Sequence, residues 1–177
     1  MKSGVVIIGA GQASAVAAAT LRKEKYTGTI RILGDESQPA YDRPPLSKYY
    51  LAGEMELPKL LIRPEEFYAD NDIDLHTNTT VASIDAEAKQ VVTAADEVFD
   101  YDKLVIASGA VARKLPLAGG TATGVHVLRT AADARRLRAS LGTVKDAVVI
   151  GGGYIGLEAA ASLHKAGKSV HVVELAP

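Results

Sequence analysis

The sequence predicts an α/β protein built from two β-α-β units, of which the second is incomplete. Apolar runs at residues 5–8 (VVII) and 147–150 (AVVI) are typical of buried parallel strands. Each run leads into a glycine-rich turn and then into an alanine-rich segment with helical spacing. The same order of features therefore occurs twice in a chain of 177 residues.

The two glycine-rich turns, residues 9–14 (GAGQAS) and 151–156 (GGGYIG), have the spacing of a dinucleotide-binding fingerprint. The first glycine makes the strand-to-helix turn, the second lets the backbone approach a pyrophosphate, and a small third residue lets the helix pack on the strand. We predict two Rossmann-like units of the FAD/NAD(P)-binding fold that hold two dinucleotides and pass electrons between them. The fingerprint positions are Gly9, Gly11, Ser14, Gly151, Gly153 and Gly156.

Acidic residues follow the second predicted strand of each unit. They are Asp35 and Glu36 in the first unit and Glu174 in the second. A carboxylate at this point can bind ribose hydroxyls, although acids at strand ends are also ordinary solvated residues; their matching positions favour ribose contacts. Because a carboxylate repels a 2′-phosphate, Glu174 predicts NADH over NADPH.

The remaining elements of the first half follow from periodicity and from the positions of proline. We predict a helix at about 12–24 and a strand at about 29–33. Pro45 can begin a helix, so a short one is expected over 46–51, stopping at Gly53. Pro64, followed by two glutamates, predicts another helix start.

Short strands are expected in the middle of the chain. The runs at 73–75, 81–84 and 90–93 predict small antiparallel excursions, and residues 104–107 predict a buried strand. The stretch 113–124 contains Pro and three Gly residues and is the best linker. These patterns divide the chain into domains at 1–112 and 113–177.

The second domain is predicted to begin with a helix over 130–141, capped by Thr130 and closed by Gly142. The second β-α-β unit then occupies about 146–174. A sheet of two strands would keep an unpaired edge and an uncovered face, so we expect the sequence to be an excerpt or a truncated form.

Composition excludes several function classes. The net charge of −1 favours neither nucleic acid nor an anionic membrane as partner, and no run has the length of a membrane span. The chain has no cysteine, and its four histidines lack metal-ligand spacing, so no metal site is predicted.

The N-terminus faintly resembles a secretory signal, but Gly9, Gly11 and Gln12 interrupt its apolar core. We therefore expect a cytoplasmic protein. The arginines in residues 135–138 are expected on a solvated helix face.

Longer motifs carry a family resemblance. They are residues 34–36 (GDE), 41–48 (YDRPPLSK), 51–53 (LAG), 101–109 (YDKLVIASG), 128–130 (LRT) and 151–158. Together they resemble the FAD-dependent NADH:ferredoxin/rubredoxin reductases of the putidaredoxin reductase type, which serve oxygenases. The matches are spread along the whole chain. Three features depart from the family pattern. Ser14 stands at a position that is usually Gly, Ser108 stands where Thr is usual, and family members are more than twice as long.

The resemblance implies an enzyme in which hydride passes from NADH to FAD and single electrons then pass to a ferredoxin or rubredoxin. It implies a monomer or homodimer. On the FAD side it implies contacts from Ala13, Asp35, Arg43, Lys48, Val81, Arg129 and the strand-end triplet Ala107, Ser108 and Gly109. On the NADH side it implies Gly151, Gly153, Tyr154, Ile155, Glu158 and Glu174.

Lys48 and Glu158 are the candidate catalytic residues. An ammonium near flavin N5 would stabilise the negative charge that arrives with hydride. Glu158 is expected in the first turn of the second fingerprint helix, where a carboxylate suits the helix dipole. We predict that the two residues pair across the junction of the two cofactors; a solvated lysine and a helix-start glutamate are the plain alternative.

Other functions remain open at this level. Disulfide reductases of the same fold need a redox cysteine, which this chain lacks. The flavin domain of an NADH-dependent nitrite reductase is an alternative, as is a non-catalytic dinucleotide-binding fragment.

Overall fold

The computed structural model describes residues 4–175, which form two compact units. The first comprises the chain up to Tyr41 together with Leu61–Ala110, and the second comprises Asp42–Leu60 and the chain from Val111. Residues 42–60 are thus grouped with the second unit. The sequence analysis had assigned them to the first domain, residues 1–112. The assignment of one cofactor to each predicted domain remains a prediction.

The first unit is a parallel α/β sheet with a small antiparallel sheet. Its elements are β1 (Val5–Ile8), α1 (Gln12–Lys23), β2 (Ile30–Leu33), α2 (Glu65–Asp70), β3 (Ile73–His76), β4 (Val81–Asp85), β5 (Gln90–Thr93), β6 (Val98–Asp100) and β7 (Lys103–Ile106). The parallel sheet has the order β3-β2-β1-β7, and β4, β5 and β6 form the antiparallel one. The predicted strand–turn–helix–strand opening is confirmed, as are the antiparallel strands β4 and β5.

The core explains why β1 is apolar without interruption. Successive side chains of a strand point to opposite faces. Val5 and Ile7 lie in one buried cluster with Ala18 of α1 and Tyr68 of α2. Their neighbours in β1 lie in a second cluster with Val91 of β5. Both faces of β1 are therefore covered, as a parallel strand requires.

Two local predictions in the first half are wrong. Residues 73–75 were expected in an antiparallel excursion, but β3 pairs in parallel with β2. The chain passes from β2 to β3 through α2, and a crossover connection of this kind joins parallel strands, whereas a hairpin joins antiparallel ones. The short helix expected over 46–51 is instead a 3-10 turn at Pro44–Ser47 followed by irregular turns. There, the carbonyl of Pro45 accepts from the amides of both Lys48 and Tyr50. The helix expected after Pro64 is confirmed as α2.

The second unit contains α3 (Ala131–Ser140), β8 (Asp146–Ile150), α4 (Tyr154–Lys165) and β9 (Ser169–Val173). Strands β8 and β9 pair in parallel, which confirms the second β-α-β unit. Thr130 caps α3 as predicted. Its hydroxyl accepts from the amide of Asp133, and the Asp133 carboxylate accepts from the amide of Thr130.

The prediction that the later apolar strands are buried is wrong. Val148 and Ile150 of β8 are 63% and 60% exposed, and Ile106 of β7 is 65% exposed. Strand β7 is an edge of its sheet, and β8 belongs to a sheet of only two strands among the described residues. Helix α4 packs on that two-stranded sheet, and within residues 4–175 nothing comparable buries the side chains on the other face of β8.

None of the helices described within residues 4–175 combines the length and the apolar composition that a membrane span requires.

Candidate functional site

The first glycine-rich turn is held against the end of β7. Gly9 has φ +100°, and a Cβ added there would lie 2.3 Å from the carbonyl oxygen of Ala107. Glycine is therefore required at this position, because the positive φ disfavours other residues and because a side chain would collide with the backbone of the residues that follow β7. The buried hydroxyl of Ser14 donates to the carbonyl of Gly9 at 2.5 Å. The structure thus brings the fingerprint together with two members of the strand-end triplet, Ala107 and Ser108, and the third, Gly109, follows with φ +70°.

This turn lies at the topological switch point of the first sheet. Strands β2 and β7 flank β1 on opposite sides, so the chain connections diverge at the carboxyl end of β1. Ligands of open parallel sheets bind at such points. Helix α1 begins here with Gly11 as its N-cap. No side chain caps it, no acidic residue occupies its first turn, and a Cβ on Gly11 would meet only open space. Ala13 is exposed in that first turn.

The two candidate ribose carboxylates of the first unit differ in their surroundings. Glu36 accepts a hydrogen bond from the phenol of the buried Tyr41. Asp35 is exposed at the end of β2, directly after Gly34. The structure therefore leaves Asp35 as the more accessible acid. Val81 begins β4 and is half-buried against the cluster that contains Ile8 and Leu33.

The second glycine-rich turn has the same backbone features as the first, and its last glycine lies closer to the turn than a side chain would allow. Gly151 has φ +111°, and a Cβ on Gly156 would lie 1.9 Å from the carbonyl oxygen of Gly151. Gly153 is the N-cap of α4, which also lacks a side-chain cap and a first-turn acid. Tyr154 and Ile155 form the exposed first turn, with Tyr154 91% exposed.

Glu174 lies next to this second turn. It follows β9, and its Oε2 accepts from the backbone amide of Gly152 at 2.5 Å. Its Oε1 accepts from the amide of Leu175 at 2.7 Å. The predicted ribose carboxylate is thus in contact with the fingerprint that it was predicted to serve.

Lys48 and Glu158 pair as the sequence analysis predicted. The Lys48 Nζ lies 3.0 Å from Oε1 of Glu158, and both residues belong to the second unit. The expected reason is wrong, however. Helix α4 begins at Tyr154, so Glu158 lies in its second turn, and no acid occupies the first.

Hydrogen bonds, rather than the helix terminus, hold the Glu158 carboxylate. Oε2 accepts from the hydroxyl of Ser47 at 2.6 Å. The Ser47 hydroxyl and then the Lys48 ammonium lower the pKa of Glu158 below its ordinary value of 4.5. The carboxylate is therefore ionised at neutral pH.

Arg43 and Arg129 are also brought together. Arg43 donates from Nη1 to the carbonyl of Arg129 at 2.8 Å. The amide of Arg129 donates to Oδ2 of Asp133 at 3.1 Å, so the backbone of Arg129 is part of the α3 cap. Both arginines are half-buried.

The sequence analysis missed four polar residues of the second unit. Ser47 and Ser162 bind each other, since the Ser162 hydroxyl donates to the Ser47 carbonyl at 2.7 Å. Glu54 pairs with Lys165, and this carboxylate raises the pKa of the Lys165 ammonium. Only Ser47 had a usable signal, because it lies in the proline-bearing motif next to Lys48.

The fold and the paired turns define a dinucleotide-binding protein with two Rossmann-like units. The family model for pyridine nucleotide-disulphide oxidoreductases matches residues 3–177, and the chain belongs to this family. Proteins of this family use FAD and NAD(P)H.

Similar proteins give the resemblance more detail. The chain is 44% identical to rhodocoxin reductase of Rhodococcus erythropolis, over 96% of the chain and 40% of that protein. It is 43% identical to the rubredoxin-NAD(+) reductase of Pseudomonas putida, over 98% of the chain and 45% of that protein. The crystal structure of the ferredoxin reductase for the CYP199A2 system of Rhodopseudomonas palustris superposes with a TM-score of 0.94 at 40% identity, over 99% of this chain and 43% of that one. The chain thus spans less than half the length of these relatives.

Both turns fit the cofactors of the family. Each offers an uncapped helix N-terminus beside glycines with open space, which suits a pyrophosphate. Asp35 follows β2 and Glu174 follows β9, and an acid after the second strand of such a unit is a general feature of ribose recognition.

Proposed function

We propose that this chain is the cofactor-binding part of an NADH-dependent flavoprotein reductase that delivers electrons to a ferredoxin or rubredoxin, in the service of an oxygenase. FAD is assigned to the turn after β1, and NADH to the turn after β8. The bound flavin supplies the conversion between two-electron hydride chemistry and one-electron transfer.

The observation that carries the proposal is the pair of glycine-rich turns. Each has a glycine of positive φ at the end of a parallel strand and an uncapped helix directly behind it. A single such turn supports dinucleotide binding alone. Two turns support transfer between two dinucleotides.

The chain's own residues supply orientation and charge. Asp35 and Glu174 would hold the two riboses, and Gly11 and Gly153 would let the backbone approach the pyrophosphates. Arg43, Val81, Arg129, Tyr154 and Ile155 are proposed as further cofactor contacts. Lys48 would stabilise negative charge delivered with hydride, and Glu158 would keep its ammonium in place.

The acceptor class is supported by the relatives. Their names include a rubredoxin-NAD(+) reductase and a ferredoxin reductase for the CYP199A2 system. We extend this to the present chain as a proposal: the acceptor is a small one-electron protein, and the chain acts as a monomer or homodimer in the cytoplasm.

A visible absorption spectrum of the purified 177-residue chain tests the proposal. FAD is added, excess flavin is removed, and spectra are recorded under anaerobic conditions before and after NADH. Flavin bands that bleach on NADH addition are the expected result, and reduction of ferredoxin or rubredoxin by the bleached protein would then be measured.

Two results would contradict it. Protein that retains no flavin after the excess has been removed would support a non-catalytic dinucleotide-binding or scaffold role instead. Protein that retains flavin but ignores NADH would overturn the assignment of the second turn.

A further inference from the structure

Ser47 is bound at both its side chain and its backbone by one face of α4. Its hydroxyl donates to Oε2 of Glu158 at 2.6 Å, and its carbonyl accepts from the hydroxyl of Ser162 at 2.7 Å. Glu158 and Ser162 are an i, i+4 pair, so they lie one turn apart on the same helix face. The two contacts therefore fix Ser47 against α4.

The Ser47 hydroxyl has one proton and two acceptors within reach. The carbonyl of Pro44 lies at 3.4 Å, whereas the Glu158 carboxylate lies at 2.6 Å. The shorter bond to the charged acceptor is the stronger one. Ser47 is only 4% exposed, so water cannot readily replace its hydroxyl.

The two carboxylate oxygens of Glu158 have different partners. Oε2 binds the buried Ser47, and Oε1 binds the Lys48 ammonium at 3.0 Å. The Lys48 and Glu158 side chains are 42% and 33% exposed, so water and salt compete for the ion pair. The Ser47 bond is the better protected of the two.

We propose that Ser47 is a positioning residue, whose hydroxyl fixes the plane of the Glu158 carboxylate so that Oε1 is presented to Lys48. Ser47 and Lys48 are consecutive, so one proline-initiated turn places the hydroxyl and the ammonium on the same carboxylate. Without the hydroxyl, the carboxylate can rotate toward solvent, and the ammonium loses a fixed partner. The kinetic consequence rests on the proposed function; the geometric one does not.

Among the charged side chains that the structure describes, Lys48 is the one that lowers the pKa of Glu158. Lys48 faces it from the C-cap position of the 3-10 turn at Pro44–Ser47. Further along α4, Lys165 is paired with Glu54. A change in the titration of Glu158 on loss of the Ser47 hydroxyl therefore reports on the Ser47–Glu158–Lys48 group itself.

The test compares Ser47→Ala with the wild-type chain in two measurements. The first follows the Glu158 carboxyl carbon by NMR through the acidic range in which circular dichroism shows an intact fold. Its pKa is expected to rise toward the ordinary value, because the largest cause of its lowering has been removed. The second follows flavin reduction by NADH in a stopped-flow instrument. Its limiting rate is expected to fall roughly tenfold at unchanged NADH affinity.

Controls separate positioning from general damage. Ser140→Ala removes a hydroxyl that donates to the carbonyl of Leu137 within α3, and should alter neither measurement. If Ser47→Ala does not fold, Ser47→Cys keeps the side-chain size with only a weak S–H donor and makes the same comparison.

An unchanged pKa of Glu158 in the folded variant would overturn the positioning role, whatever the kinetics. A raised pKa with an unchanged limiting rate would also overturn it, because Lys48 would then act without a fixed carboxylate. A raised pKa in a chain whose wild type shows no flavin reduction would support the geometry while refuting the proposed function.

Discussion

The Lys48 ammonium lies in an ion pair whose two members are both partly exposed to solvent. A surface ion pair of this kind contributes little to stability, about 0–1 kcal/mol. Stability alone therefore gives little reason for this pair, which agrees with the proposed role of Lys48 at the flavin. What the pair can contribute is a positive charge whose position is fixed.

We expect Lys48→Ala to slow flavin reduction by NADH about 100-fold, because a preorganised positive charge next to developing negative charge is lost. Lys59→Ala is the matched control, since Lys59 is an exposed lysine in the same segment. Stopped-flow reduction at saturating NADH measures the difference. Equal rates for the two variants would exclude an electrostatic role for Lys48.

Glu174 sets a second expectation at the residue scale. Its carboxylate lies on the amide of Gly152, within the second turn. We expect NADH to reduce the flavin better than NADPH, since a carboxylate there accepts from ribose hydroxyls and repels a 2′-phosphate. Glu174→Ala should weaken this preference chiefly by losing affinity for NADH. Ratios of kcat/KM for the two nucleotides test this, and an NADPH preference in the wild type would contradict it.

Charge and the family motif predicted some contacts of this site, whereas others could be identified only from the structure. The pairing of Lys48 with Glu158 followed from their charges and the family motif. Ser47 could not be given a role in the same way, because its place in the proline-bearing motif does not show which side chain its hydroxyl binds. The choice between Asp35 and Glu36 also needed the structure, because adjacent acids are equivalent in sequence until Tyr41 is seen to bind one of them.

At the scale of elements, the two strand–turn–helix units differ at the last position of the glycine-rich turn. Ser14 fits in the first turn and donates to the carbonyl of Gly9. Gly156 occupies the same position in the second turn, where a Cβ would lie 1.9 Å from the carbonyl of Gly151. At this position the second turn therefore has no room for a side chain.

Gly156→Ala should consequently destabilise the chain by about 1–3 kcal/mol, since the helix must move away from the turn. Gly142→Ala is the matched control, because a Cβ there meets nothing within 4 Å. Urea unfolding followed by circular dichroism compares them. Equal midpoints would show that the second turn can widen at no cost.

The capping box of α3 gives a further expectation. Thr130 and Asp133 satisfy each other's amides, and Asp133 also binds the amide of Arg129. Thr130→Ala should cost about 1 kcal/mol, whereas Thr130→Ser retains the acceptor and should cost less. Thermal or urea unfolding measures both variants, and an alanine variant as stable as the serine variant would contradict this account.

Elements with strong local signals were predictable, and those that depend on a partner were not. Apolar periodicity and Thr130 located β1, α1, β8, α4 and the start of α3 close to their observed positions. Three residues of β3 carry no information about which strand they will pair with, so its parallel pairing with β2 was missed. The exposure of Ile150 was missed for the same reason, because burial of a strand depends on what covers it.

At the scale of the whole molecule, the two units differ in how well their sheets are covered. Ile7 and Ile32 of the first sheet are 0% and 1% exposed, whereas Val148 and Val173 of the second are 63% and 54% exposed. Burial of apolar surface is the main source of stability, at about 25 cal/mol per Å². The same backbone pattern, β-α-β, should therefore have unequal stability in its two copies.

Hydrogen exchange measured by mass spectrometry on the chain without cofactor should show this inequality directly. Amides of β1 and β2 are expected to exchange last, near the global unfolding limit, because helices and the small sheet cover both faces of their strands. Amides of β8 and β9 are expected to exchange at least tenfold faster through local opening, although their ladder has the same parallel geometry. Added NADH should slow exchange in β8 and β9 if it binds the second turn, because a ligand stabilises the state that it binds. Equal protection of β1 and β8 without ligand would mean that hydrogen bonding within the strand pair, rather than burial of its faces, sets the stability of these units.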